Sequence, residues 1–377
     1  MKALPSHFRQ LRTEITPEGQ LRVSLVSLPV PVPGADEVLV HVQASPINPS
    51  DMGLLFGAAD LGSARREEGP DGPVLVADVP AVAMPAMQGR LGQSMPVGNE
   101  GAGVVVAAGE GEAAQALIGR KVAMLGGDMY AEYRCLNVAQ CMELPDDVDA
   151  RDGASCFVNP LTALSMPETM RMEGHKALIH TAAASNLGQM LNRICIADGV
   201  PLINIVRKPE QQALLRDLGA TWVLSTADAD FKSQLVDAIA QTGATIAFDA
   251  IGGGPLAGQI LMAMEIAQSR GVAYSRYGSA VHKQVYIYGR LNTATIEVPA
   301  SLGMAWGMGG YLLTYFLQKV GADGRRRLRA RVLAELRTTF ASHYTREISL
   351  TDILDVQVAQ ASNRKSTGEK FLIRPDL

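Results

Sequence analysis

The stretch that decides the fold is "KALIHTAAASNLGQM", residues 176–190. An apolar run leads into a series of small residues. After it, Leu187, Met190, Leu191, Ile194 and Cys195 recur at i, i+3, i+4, i+7 and i+8, the stripe of an amphipathic helix. A strand, a tight turn and a helix in this order form the place where a nucleotide-binding fold carries G-x-G-x-x-G. Only Gly188 of the three glycines is present. Glycine serves where the backbone must approach a neighbour closely or take a positive φ. Alanine and serine are the next smallest choices, and every position up to Leu187 is small. Asn186 tolerates the left-handed region, and Gly188 stands where the helix packs on the strand. Ala183, Ala184, Ser185, Asn186, Leu187 and Gly188 therefore make a usable pyrophosphate turn at a helix N-terminus. Taken alone the motif is weak, because an ordinary strand-to-helix turn has the same composition.

The next strand, "PLINIV", sharpens it. A fold that prefers NAD puts Asp or Glu about 20 residues on, to bond the ribose 2′-hydroxyl. Here the strand ends in Arg207 and Lys208, which suit a 2′-phosphate. The expectation is NADPH rather than NADH, against the plainer possibility of two solvated surface cations. Strand candidates "TWVLS", "TIAFDAIGGG" and "VYIYG" alternate with helices near residues 209–218, 230–240 and 255–268. That rhythm predicts a doubly wound parallel sheet with helices on both faces. Gly252, in the glycine turn, and Tyr288 and Gly289, at the end of the last strand, join the candidate cofactor contacts.

The first half of the chain is rich in strands and turns. "EVLVHVQAS" alternates Val38, Val40 and Val42, and "GAGVVVAAG" and "RKVAML" are apolar runs bounded by glycines. Two segments break the pattern. Residues 59–93 read as a long lid or loop cover. Residues 269–283, rich in Tyr, Ser and Arg, read as a surface loop, or else as a loop on the substrate side. At 377 residues two domains are expected. A net charge of −4 offers no electrostatic case for nucleic acid or anionic membrane. The longest apolar run, "GMAWGMGGYLLTYF", is too short to span a bilayer, and the first residues lack the apolar core of a signal peptide. A cytoplasmic protein with four reduced cysteines is the expectation. The basic run "GRRRLRAR", residues 324–331, reads as a solvated helix face.

Four ordered motifs, "INPSD" (47–51), "PVGNEGAG" (96–103), "YAEY" (130–133) and "VNPLTAL" (158–164), precede the cofactor turn, and "TGEKFLI" closes the chain. Together they resemble the zinc-independent medium-chain dehydrogenase/reductase superfamily, in its quinone oxidoreductase and enoyl thioester reductase branches. The resemblance covers nearly the whole chain except the two atypical segments. It implies a β-rich GroES-like catalytic domain formed by both chain ends, residues 1–157 and 315–377. A Rossmann domain, residues 158–314, would lie between them, with a cofactor cleft between the domains. Zinc-using relatives carry Cys where Asn48 stands and His where Asn99 stands, and an amide is a poor zinc ligand. No metal is expected.

Without zinc to polarise an alcohol, hydride transfer from NADPH to a quinone or another conjugated carbonyl compound is the expected activity. The partner is then a small-molecule acceptor, with no nucleic acid or membrane, and a homodimer follows by family analogy. Asn48 would contact cofactor or substrate, and Asn159 and Thr162 would sit at the nicotinamide end. Asp51 would cap the short helix after it, and Glu100 would be a buried structural acid. Enoyl thioester reductases resembling this chain carry a donor tyrosine two positions after the glycine that Gly57 matches; here Ala59 stands there. Tyr274 or Tyr277 is the candidate substitute; Tyr130 could also donate a proton, or else packs beside "AEY". The alternatives are a 2-enoyl thioester reductase and an NADPH-binding sensor or scaffold with little turnover.

Overall fold

The computed structural model describes residues 4–364 and 368–377, so Thr367 of the closing motif and residues 1–3 of the N-terminal segment lie outside the described residues. The chain divides into two units, Met1–Val158 with Leu333–Leu377, and Asn159–Val332.

The second unit is built on a parallel sheet of β1 (Leu178–Thr181), β2 (Leu202–Val206), β3 (Trp222–Ser225), β4 (Ile246–Asp249), β5 (Lys283–Ile287) and β6 (Trp306–Gly310). Their spatial order is 3-2-1-4-5-6, so the winding reverses between β1 and β4. The flanking helices are α1 (Val158–Met172), α2 (Asn186–Ala197), α3 (Pro209–Asp217), α4 (Phe231–Thr242) and α5 (Leu256–Ser269). Alternation along the strands sends Ile179, Ile203, Ile205, Ala247 and Val285 into one core with Leu235, Ile239, Ile260 and Met264 of α4 and α5. His180, Asn204 and Phe248 point to the opposite face. The predicted stripe of α2 is buried at Leu187, Met190, Leu191, Ile194 and Cys195.

Strand β6 carried no sequence signal, because "WGMGG" has few β-branched or aromatic residues. It pairs only with β5, at the sheet's edge, where weak packing is tolerated. The chain leaves this unit at Leu333 rather than near residue 315. Helix α6 (Leu313–Lys319) and most of α7 (Gly321–Ala334) stay with the parallel sheet. Two arginines of the basic run hold α7 there: Arg327 pairs with Glu168 at 2.8 Å and Arg331 with Asp198 at 2.9 Å. That face is therefore partly an ion-paired seam rather than wholly solvated.

In the first unit, strand Glu37–Pro46 pairs with Glu100–Ala108, with Tyr133–Asn137 and, near the chain's end, with Phe371–Ile373. Both chain ends thus build one β-rich unit. The 59–93 segment is not the expected loop cover. Strands Asp60–Gly69 and Gly72–Asp78 form a hairpin turned at Pro70–Asp71, and the second strand pairs with Gln20–Pro29. Val74, Leu75, Val76 and Ala77 are all buried, and that burial turns a proline-bounded run into a sheet strand. Residues 81–90 continue as three short helical turns.

Candidate functional site

In a doubly wound sheet the crevice lies outside the carboxyl ends of the strands, where the winding reverses. Here that point is bridged by side chains. Thr181, the last residue of β1, donates to Asp249 Oδ1, the last residue of β4, at 2.6 Å. Asp249 also accepts Ile251 N at 2.9 Å and Gly252 N at 3.1 Å, and Ala250 N donates to Thr181 Oγ1 at 2.8 Å. Neither Thr181 nor Asp249 was singled out in the sequence. Each is an unremarkable residue at a strand end, and only the sheet order makes them neighbours.

The turn then runs directly into α2. The left-handed residue is Ala182, at φ 49°, and not Asn186, which opens the helix. The reversal comes immediately after the strand, so the residue in that position must turn whatever its type. Ser185 caps α2 by accepting Gly188 N at 3.1 Å. The N–H groups of Ala184 and Leu187 take no acceptor among the described residues. A Cβ on Gly188 would lie 2.2 Å from Ala183 O, so this glycine is required by close approach to backbone. Gly252 (φ +80°) and Gly289 form a second glycine cradle: a Cβ on either would meet the carbonyl of Gly289 at 2.8 Å or of Ala250 at 2.6 Å. A helix N-terminus with open N–H groups at the point where the winding reverses fits a dinucleotide pyrophosphate.

Arg207 and Lys208 follow β2 and are exposed. Their backbone N–H groups share Gln211 Oε1, at 3.1 and 3.2 Å, and neither side chain has an ion-pair partner among the described residues. Asn159 and Thr162 lie in the first turns of α1 and are buried. Tyr288 is turned inward. Its hydroxyl bonds His180 Nε2 at 2.7 Å with the rings stacked, and burial pushes the His180 imidazole down to about 3, so it is neutral.

Tyr274 and Tyr277 fare differently. Their loop joins the end of α5 to the start of β5, so it lies at the amino edge of the sheet, opposite the cofactor turn. Lys283, fully buried at the first residue of β5, pairs with Glu265 at 2.5 Å, and Glu265 accepts Ser279 N at 2.8 Å, which ties the loop to that edge. Both tyrosines are exposed there. They are corrected as donor candidates, because a five-residue strand of ~3.3 Å rise per residue separates the two edges.

In the first unit a buried polar cluster surrounds Asn48. Its Nδ2 donates to Glu100 Oε1 at 2.8 Å, while Glu100 Oε2 accepts Phe157 N and Val158 N at 2.9 and 2.8 Å. The Asn48 Oδ1 is buried and takes no donor. Asp51 does not cap the helix after it. Its carboxylate instead accepts Asn48 N at 2.7 Å and Asn99 N at 2.9 Å, binding two loops together.

Burial pushes the Asp51 carboxyl up to about 7, and the nearby Glu100 charge adds to the rise against the N–H donors. Burial also raises Glu100, opposed by Lys370, whose own ammonium is pushed down to about 8 by burial. Lys370 Nζ donates to Ser155 Oγ at 2.9 Å. Ser155 carried no sequence signal and Lys370 stood out only as part of the closing motif; nothing local joins two residues 215 positions apart. Tyr130 is fully enclosed, donates to Pro46 O at 3.2 Å, and is pushed well above the usual phenol range by burial. A hydroxyl so placed packs the loop and is corrected as a proton donor.

Among the described residues, no group of three or more His, Cys, Asp and Glu could hold a metal ion, and no helix is long and apolar enough to cross a membrane. Residues 34–146 match the alcohol dehydrogenase GroES-like domain family. Over 214 residues the chain is 28% identical to the mitochondrial enoyl acyl-carrier-protein reductase of Bos taurus, covering 54% of this chain and 48% of that protein. The chain thus spans about half the length of that relative. Over nearly its whole length it is similar to the solved structure of a Mesorhizobium loti protein proposed to be an NADPH:quinone reductase. The TM-score is 0.74 at 27% identity, covering 99% of this chain and 100% of that one. A mutant enoyl thioester reductase from Candida tropicalis shares the fold, with a TM-score of 0.67 at 18% identity, covering 98% and 100%.

Proposed function

Since the chain belongs to the medium-chain dehydrogenase/reductase superfamily, we propose that it is an NADPH-dependent, metal-free oxidoreductase that reduces a quinone or another electron-poor conjugated carbonyl compound. The observation that carries the cofactor is the switch point: small residues at the turn, an open helix N-terminus, and the unpaired Arg207 and Lys208 at the end of the neighbouring strand. Bound there, NADPH would supply the hydride. The open N–H groups of Ala184 and Leu187 would hold the pyrophosphate, and the two cations the 2′-phosphate. Gly252 and Gly289 let the backbones that follow β4 and β5 approach each other closely at the carboxyl end of the sheet.

Asn48 supports metal-free chemistry. Its amide is held by Glu100, and its free face is a neutral carbonyl oxygen rather than a thiolate. That oxygen is enclosed and can only accept, so it can neither polarise a carbonyl nor replace a thiolate as a zinc ligand. The second reading, a 2-enoyl thioester reductase, is favoured by the sequence relatives but opposed by Ala59 at the donor tyrosine's place. A sensor or scaffold with little turnover is the third. We include in the proposal a homodimer in a cytoplasmic setting.

Calorimetric titration tests the cofactor. NADPH is expected to bind at least tenfold tighter than NADH, a preference that Arg207→Glu with Lys208→Glu abolishes. Equal affinities in the wild type would refute it.

A further inference from the structure

Arg90 ends the last helical turn of the 59–93 segment. Its guanidinium folds inward onto the loop that follows Asp51. Nη1 donates to Gly53 O at 3.4 Å and Nη2 to Thr13 Oγ1 at 3.3 Å, both long contacts. Its Nε is buried and has no acceptor among the described residues. A guanidinium has five N–H groups in a planar fork, so three are left without an acceptor here. No carboxylate stands within ion-pair distance among the described residues. Burial alone lowers its pKa, and no acid acts in the opposite sense.

Other inward cations of the same unit are compensated. Lys370 faces Glu100 and Asp51, Arg134 pairs with Asp128 at 3.4 Å, and Arg374 pairs with Glu347 at 3.0 Å. A half-buried charge with an orphaned donor and no counter-charge is costly, and the cost falls when an oxyanion arrives.

The open side is at Gly53, whose carbonyl Arg90 contacts: nothing stands within 4 Å of its Cβ position, whereas that of Gly57 (φ +59°) is closed by Arg90 Nη1 and Ile15 Cδ1, each at 3.3 Å, and by Met87 Sδ at 3.6 Å. Both glycines belong to the short loop and helix that begin at the Asn48–Asp51 knot. The fork of Arg90 thus rests on the same ten-residue stretch, 48–57, that carries the unpartnered Asn48 Oδ1.

We propose that Arg90 is an oxyanion-binding subsite for the acceptor, selecting conjugated carbonyl compounds that bear a carboxylate or phosphate over neutral ones of the same skeleton. The proposal rests on the reductase reading above and assigns the 59–93 segment a part in specificity.

A matched pair of enones tests it. 4-Oxopent-2-enoate and 3-penten-2-one share an enone and differ by a carboxylate in place of a methyl group. With NADPH, the ratio of kcat/KM for the charged over the neutral compound is expected to fall roughly tenfold to a hundredfold in Arg90→Met. Arg90→Lys, which keeps the charge and loses the fork, should fall between. Circular dichroism and Tm establish that each variant is folded, and Arg90→Lys decides alone if Arg90→Met is not.

Calorimetry with 4-oxopent-2-enoate and with inorganic phosphate, on the full chain, identifies the source of the oxyanion. Loss of carboxylate binding in Arg90→Met supports an acidic acceptor, and loss of phosphate binding supports a phosphorylated one. An unchanged ratio, with neither anion's binding weakened, overturns the proposal. If neither enone is reduced, the reductase reading fails for this class, while the two titrations still decide Arg90.

Discussion

Replacing Gly188 by Ala adds one methyl group at the point where α2 crosses the end of β1. The added Cβ would stand 2.2 Å from Ala183 O, 2.6 Å from its carbonyl carbon and 2.8 Å from its Cα. All three neighbours are backbone, so no side chain can swing aside. Ordinary van der Waals contact at a Cβ begins at about 3.4 Å, so the first turn of α2 must retreat by about 1 Å. Overpacking of this kind costs about 1–3 kcal/mol. For a unit the size of Asn159–Val332, each kcal/mol lowers Tm by roughly 2–4 °C. The same retreat would carry the Leu187 N–H away from the proposed pyrophosphate site and shift it relative to that of Ala184. Since a displacement of ~1 Å can cost up to a hundredfold, the Kd for NADPH should rise about tenfold or more. Scanning calorimetry and a fluorescence titration with NADPH read the two effects separately. A variant with wild-type Tm and wild-type affinity would refute both the close approach and the placing of the pyrophosphate.

Other outcomes follow from the two units taken separately. Asp51 titrates at about 7 when folded against 3.8 for the ordinary group, so the folded protein holds a proton that the unfolded chain has lost. Its contribution is complete below about pH 4 and is lost as pH rises through 7, up to about 4 kcal/mol at ~1.4 kcal/mol per pKa unit. Asp51→Asn should therefore flatten the fall of the urea midpoint between pH 4 and 7; parallel curves for variant and wild type would contradict this. Tyr274→Phe and Tyr277→Phe should leave kcat/KM within about twofold, because both lie at the amino edge of the sheet; a tenfold loss in either would return them to the reaction.

Much of this was legible in the sequence because periodicity and small residues report local geometry. The stripe of α2, the turn before it, the order of strand and helix, and the cation pair after β2 all depend on neighbours within about 20 residues. The return of the chain's end to the β-rich unit was legible only through the resemblance carried by the ordered motifs. The failures share a cause: they turn on contacts between distant segments. Asp249 meets Thr181 only because the sheet winds as 3-2-1-4-5-6. The 59–93 hairpin depends on pairing with a strand some 50 residues earlier. Glycine-rich β6 is a strand only because β5 offers it an edge. Of the two readings of the 269–283 loop, the substrate-side one fails, because its sequence adjoins "VYIYG" at the near end, while the far end faces the crevice.

The measurement that bears most directly on the central claim is NADPH oxidation, followed by absorbance, with a small quinone, with an enoyl thioester, and with neither. The account predicts rapid oxidation with the quinone, little without an acceptor, and slower turnover of the thioester, for want of a tyrosine at residue 59. Oxidation by the thioester alone would contradict the choice of acceptor. Saturable NADPH binding without turnover in any arm would contradict the claim that this protein is a reductase.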